Sequence, residues 1–231
     1  MGIAERRERE RESLRTTILE AARDLLSEGG LDALSMRSIA KKIEYSPGTI
    51  YLYFRDKDDL IRNLVSEAMN LLLKYMRRAL AEAGPEATPA EQHRATGYAY
   101  VRWAMENTAH FRVVFEIPGV ARMVDCPEPE HEAMPDHESF DFITELLRRA
   151  VAVGELEIPE PRHGALVAWG LLHGLISLYL SGHLSHDVEN AEAFQRLADA
   201  AIDSLYRGWL PRDGAARQSA ASFLQKRTSS S

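Results

Sequence analysis

The chain has 231 residues, 45% hydrophobic and 27% charged, which is enough apolar material for one large or two small domains with a real core. A formal net charge of −7 would argue against a nucleic-acid partner if it were spread evenly, but residues 1–62 carry 12 Lys and Arg against 12 Asp and Glu, and segment 33–57 carries five basic residues to two acidic. The single cysteine, Cys126, excludes an internal disulfide and suits a reducing compartment.

The first fifteen residues alternate charge without an apolar run, so a solvated helix rather than a targeting peptide is expected there. Leu14, Ile18, Ala21, Ala22 and Leu25 form one stripe, which predicts a helix over 5–27 that Gly29-Gly30 ends. A second helix over 36–43 carries Met36, Ile39, Ala40 and Ile43 on its apolar face, with Ser35 as cap and Arg37, Lys41 and Lys42 outside. After the break Glu44-Tyr45-Ser46, Pro47 suits a first helical turn because it lacks an N–H that would be unpaired there. Ser46 is the natural cap of this third helix, over 47–53. Two turns cannot stand alone; Ile50 and Phe54 at i, i+4 supply the face that holds them.

The third helix leaves useful chemistry outside. Gly48 permits close backbone approach, Thr49 offers a hydroxyl and a methyl, Tyr51 and Tyr53 carry hydroxyls on rigid rings, and Lys57 follows at the next helix start. In helix-turn-helix docking the start of the second motif helix meets base edges, while hydroxyls and cations nearby clamp phosphates.

The run S-M-R-S-I-A-x-x-I-x-Y-S-x-G-T-I-Y-x-Y-F-x-x-K-x-x-L over residues 35–60 resembles the signature of the tetracycline-repressor (TetR) family of bacterial regulators. It departs where most members have Gly-Val and this chain has Glu44-Tyr45. The resemblance implies that Arg37 reads a base, that Ser46 to Thr49 and Leu52 to Tyr53 face the groove, and that Tyr51 and Lys57 hold phosphates. The expected DNA-contacting set is therefore Ser35, Arg37, Ser46, Pro47, Gly48, Thr49, Tyr51, Leu52, Tyr53 and Lys57.

Further along, Leu60, Leu64, Ala68, Leu71, Leu72 and Tyr75 predict a long helix over 57–83, a connector stopped by Gly84-Pro85. Thr88 caps a helix reaching Asn107, and a shorter one covers 109–116. Four prolines and many acids make 117–135 a long surface loop. Helices are expected over 136–153, 162–183 and 190–209, and the tail from Pro211 is expected to be disordered. No strand pattern or repeat is present. The predicted fold is all-α: a three-helix DNA-binding domain over 1–56, a six-helix effector-binding and dimerisation bundle over 57–210, and the tail 211–231.

Residues 162–183 are apolar nearly all the way round, so a second subunit is expected to cover them. With helix 190–209 they would form a four-helix homodimer seam using Leu175, Leu178, Tyr179, Phe194, Leu197, Ala201 and Leu205. The run Ala168-Trp169-Gly170-Leu171-Leu172-His173-Gly174 resembles the Trp-His-Gly subclass of TetR-type C-terminal domains. The apolar stretch 165–180 falls short of the ~20 residues of a bilayer span, so a cytoplasmic protein without membrane contact is expected.

A small-molecule pocket would draw on Tyr100, Trp103, Phe111, Phe115, Phe142, Trp169 and His173, a pool that suits a lipophilic or aromatic effector. Each is also at home in a plain core. The acids and histidines around Cys126, and His183, His186 and Asp187, lack metal-ligand spacing, so no metal or cofactor is expected. No phosphate loop or nucleophile elbow points to an enzyme. The chain reads as a ligand-responsive transcriptional regulator, most simply a repressor acting on a palindromic DNA operator. The alternatives are a helical protein-interaction module and an activator without an effector.

Overall fold

The computed structural model describes residues 2–120 and 135–212, and among them every regular element is an α-helix. Residues 121–134 of the expected loop, and 213–231 of the expected tail, lie outside the described residues. The helices are α1 (Ile3–Ala33), α2 (Met36–Lys42), α3 (Pro47–Tyr51), α4 (Lys57–Ala83), α5 (Pro89–Glu106), α6 (Thr108–Phe115), α7 (Pro135–Ala152), α8 (Pro161–Leu180) and α9 (Ala191–Trp209). They form two compact units, the first of residues 1–71 and 107–134, the second of residues 72–106 and 135–231.

In the first unit the predicted stop at Gly29-Gly30 is a kink rather than an end. Gly30 takes φ 65° and ψ −159°, and one more turn follows to Ala33. Only glycine enters that region without cost. The core is made by Ile18, Ala22 and Leu26 of α1, Ile39 and Ala40 of α2, Ile50 of α3, Phe54, and Leu60, Ile61, Leu64 and Ala68 of α4, all at most 2% exposed. Polar ties run between α1 and the start of α4. Arg15 Nη2 donates to Asn63 Oδ1 at 2.6 Å, and its guanidinium lies 5.5 Å from the Phe54 ring centre. Arg23 pairs with Glu67 at 2.7 Å. Helix α6 packs on α1 through buried Phe111 and Val113, so this unit takes in α6 and residues 57–71 as well as residues 1–56.

The second unit is built around α5, which packs on α7, α8 and α9. Its approach is close at Gly97, where an added Cβ would stand 3.4 Å from Leu172 and 3.9 Å from Ile202. Apolar α5 residues Ala99, Tyr100, Val101, Trp103 and Ala104 are buried among Leu147 and Ala150 of α7, Ala165, Leu172 and Ile176 of α8, and Phe194, Ala198 and Ile202 of α9. One end of this core is polar. His93 Nδ1 bonds the Tyr206 hydroxyl, and the buried Arg94 pairs with Asp203 and lies 5.9 Å from the Tyr206 ring centre. Sequence periodicity gives no sign of this cluster, because His93 and Arg94 join it only when α5 meets the C-terminal half of α9.

Candidate nucleic-acid interface

The reading head is assembled by caps and by one apolar face. Ser35 and Ser38 cap α2 reciprocally, each hydroxyl accepting from the other's backbone N–H at 3.0 and 2.8 Å. Ser46 caps α3 in the same way, accepting from Thr49 N at 3.2 Å, and its hydroxyl also meets that of Thr49 at 2.9 Å. Pro47 occupies the first turn. Helix α3 is two residues shorter than the 47–53 span read from the sequence. Leu52 is its C-cap and Tyr53 lies beyond it, because backbone bonds from Tyr53 and Phe54 to Ile50 close the helix early.

Ile50 and Phe54 are buried, which turns the rest of α3 outward. Ser46, Pro47 and Gly48 are exposed, Tyr51 is 56% exposed and Leu52 78% exposed, while Thr49 and Tyr53 are half-buried. Tyr45, outside the predicted set, is 49% exposed beside them. The cations are unequal. Arg37 is exposed without an ion pair among the described residues. Lys42 is held by Asp24 at 3.2 Å and Glu28 at 3.5 Å, and the Asp24 hydrogen bond raises its pKa. Lys57 donates to the Leu31 carbonyl at the C-terminal end of α1. Ser35 is exposed, but its hydroxyl is engaged as a cap.

Glu44 sits at φ 59°, the left-handed region where a Cβ is strained. The turn is thus kept although its glycine is absent, at a local cost. Glu44→Gly is expected to raise stability by up to about 1 kcal/mol, the strain relieved less the extra entropy of glycine. Thermal melting of the full chain checks this, and an unchanged or lower midpoint would contradict it.

Residues 18–64 match the profile described as bacterial regulatory proteins, tetR family, and residues 93–201 match a tetracyclin repressor-like C-terminal domain. The chain belongs to the TetR family. Over 71 residues it is 37% identical to the HTH-type transcriptional regulator UidR of Escherichia coli K12, covering 31% of this chain and 36% of that protein. It therefore spans little more than a third of the length of the curated relatives it matches first. The whole fold aligns with solved structures. A Rhodococcus sp. RHA1 protein of unknown function matches at TM-score 0.66 and 27% identity, over 85% of this chain and 95% of that one. A TetR-family regulatory protein from Rhodococcus RHA1 matches at TM-score 0.65 and 18% identity, over 84% and 95%. The matched N-terminal profile is that of bacterial regulatory proteins, and the relatives it aligns with are named transcriptional regulators.

The expected effector residues divide between the two units of this TetR-family chain. Phe111 and Phe115 lie on α6 of the first unit, their ring centres 5.3 Å apart. Tyr100, Trp103, Trp169 and His173 come together in the second. Tyr100 Oη lies 3.0 Å from His173 Nδ1 and accepts from Trp169 Nε1 at 3.2 Å, and the Trp103 ring centre is 5.9 Å from that of Tyr100. Burial lowers the His173 pKa, so the ring is neutral near pH 7. Phe142 is half-buried on α7. A separate cavity of about 640 Å³ contains none of the seven. Five alanines, Tyr98, Met105 and Phe194 line it with Glu82, Arg102 and Glu106. Alanines at helical spacing read only as core, so no sequence signal marked it.

The expected dimer set is also redistributed. Phe194 is 1% exposed and stacks on the half-buried Tyr179 at 4.4 Å within the protomer. Leu175, Leu197, Ala201 and Leu205 are half-buried, and Leu178 is 43% exposed. The outward face of α8 adds Leu166 and Val167, 45% and 55% exposed, around Gly170 and Gly174. Helix α8 is longer than the 165–180 run and, by length and composition, could cross a membrane, yet only 28% of its apolar window is buried within the chain. Such a face needs a cover. Of the residues considered as metal ligands, those at 125–131 lie outside the described residues.

Proposed function

We propose that this regulator is a homodimeric repressor that places α3 of each subunit in a major groove and is released by a lipophilic effector. The observation that carries the DNA-reading part is the surface of α3. Leu52 at 78% and Tyr51 at 56% exposure stand beside Ser46 and Gly48 on a short helix whose other face is fully buried. Such a surface is poorly suited to water and well suited to thymine methyls, phosphates and base edges. The local charge of segment 33–57 supports it.

Arg37→Ala is expected to cost about 1–3 kcal/mol of binding and to relax base preference at one position of each half-site, because an exposed guanidinium can fork onto guanine. Lys57→Ala is expected to weaken all duplexes alike and to lower the salt slope, since a lysine acts as a point charge. Titration of selected and random duplexes at several salt concentrations checks both. Equal loss on both duplexes for both variants would refute the division of roles, and no salt-sensitive binding at all would favour a protein-contact module.

For release, the effector is placed against Tyr100, Trp103, Trp169 and His173, an apolar cluster with one titratable ring. Its binding must favour a conformation that holds DNA poorly, with α4 as one of the chain segments that join the units. His173→Leu is expected to leave dimerisation and operator binding intact and to weaken effector-induced release and tryptophan quenching. A variant that melts lower through loss of the Tyr100 hydrogen bond, by about 1–3 kcal/mol, yet responds normally would move the effector to the 640 Å³ cavity.

A further inference from the structure

The first three turns of α1 belong to no core. Residues 4–13 are all exposed, and the buried stripe of this helix begins only at Ile18. A surface helix of this kind is usually laced by opposite charges at i, i+4. Here only part of it is: Arg6 pairs with Glu10 at 3.5 Å, and Arg9 Nε donates to the Glu5 carbonyl at 3.4 Å. Arg7, Arg11 and Arg15 instead follow one another at i, i+4, i+8. They form a like-charged row, which weakens an isolated helix and leaves room for an anionic partner. Among the described residues neither Arg7 nor Arg11 has an ion pair or hydrogen bond, whereas Arg15 at the end of the row reaches Asn63 and Phe54.

Two contacts show where this row points. Arg15 meets Asn63 near the start of α4, and its guanidinium lies over the Phe54 ring at the α3–α4 junction. Residues before Arg15 therefore continue α1 outward from this contact with the α3–α4 junction. At 1.5 Å per residue, Arg11 stands about 6 Å and Arg7 about 12 Å beyond Arg15 along the helix.

We propose that the overhang of α1 is a second DNA-contacting element, in which Arg7 and Arg11 bind backbone phosphates of the duplex flanking each half-site. This rests on the DNA-reading role of α3 and extends it outward. The row makes no base contact, so it adds affinity and salt dependence and leaves sequence preference to α3.

The test uses the full chain and a duplex that it selects from a random pool, once with flanks intact and once trimmed to the outermost selected base pair. The charge-matched variants are Arg7→Gln/Arg11→Gln and, on the other side of the helix, Arg6→Gln/Arg9→Gln. The wild-type chain should lose roughly 10- to 100-fold in affinity on trimming, and the first variant should bind both duplexes as the wild type binds the trimmed one. Its salt slope should be shallower by about 0.9 for each phosphate left unneutralised, while base preference is kept. The second variant should respond to trimming like the wild type. A first variant that binds the flanked duplex as tightly as the wild type would overturn the proposal, as would equal losses for both variants. If the wild-type chain itself selects no duplex, the reading of α3 fails and this proposal with it, a result distinguishable because it precedes any variant.

Discussion

Gly170→Leu is expected to give a stably folded monomer that has lost most of its operator affinity. On α8, Gly170 and Gly174 lie between the exposed side chains of Leu166, Val167 and Leu178. Nothing stands within 4 Å of a Cβ added at either glycine, so the protomer has room for a leucine there. Replacing an exposed helical glycine should even add about 0.5–1 kcal/mol to protomer stability. The two-fold seam does not share that tolerance. In an isologous interface a patch meets its own copy, and two glycines one turn apart let helices approach backbone to backbone. A branched side chain at each Gly170 would force them apart. Loss of the dimer removes the second reading head, whose linkage is worth about 10²–10⁴ in affinity. Sedimentation, melting and duplex binding of the one variant check all three parts. A dimer of unchanged operator affinity would remove Gly170 from the seam. Leu178→Glu is the coarser variant on the same face.

The second large effect is on acid stability and arises in the second unit. His93 is 5% exposed, bonded to Tyr206 and next to Trp209, and its burial lowers its pKa from 6.5 to about 4. A histidine depressed in the folded state is neutral there and takes up its proton more readily when unfolded. Its contribution is therefore fully present above pH 6.5 and is lost as pH falls from 6.5 to about 4. The loss over that window should reach about 3 kcal/mol, since each tenfold difference in proton affinity between the folded and unfolded chain is worth about 1.4 kcal/mol. Burial lowers His110 and His173 in the same direction, so they add to it. Denaturant unfolding at stepped pH should show stability falling steeply below pH 6.5, and His93→Gln should flatten the curve while lowering its plateau by about 1–3 kcal/mol for the weakened Tyr206 bond. A variant curve parallel to that of the wild type would clear His93 of the effect.

Local chemistry made the head legible. Ser35, Ser46, Pro47 and the i, i+4 pair Ile50 and Phe54 act within a few residues of themselves, so caps, break and buried face follow from the sequence without any tertiary contact. The same holds for the predicted helices of the second unit, whose apolar spacing is periodic. Legibility failed where two distant segments decide together. That Tyr179 and Phe194 stack on each other follows only from the packing of α8 on α9.

By itself, then, the sequence determined the all-helical class, the helix-turn-helix and the family, since these rest on periodicity, capping and a motif confined to one short stretch. Tertiary structure alone decided which apolar residues remain outside, the glycine-centred face of α8, the buried His93–Tyr206 and Arg94–Asp203 pairs, and the cavity floored by alanines. The reason is that burial belongs to pairs of surfaces. A side chain's identity says how much it gains by leaving water, and only the docking of one helix on another says whether it has left.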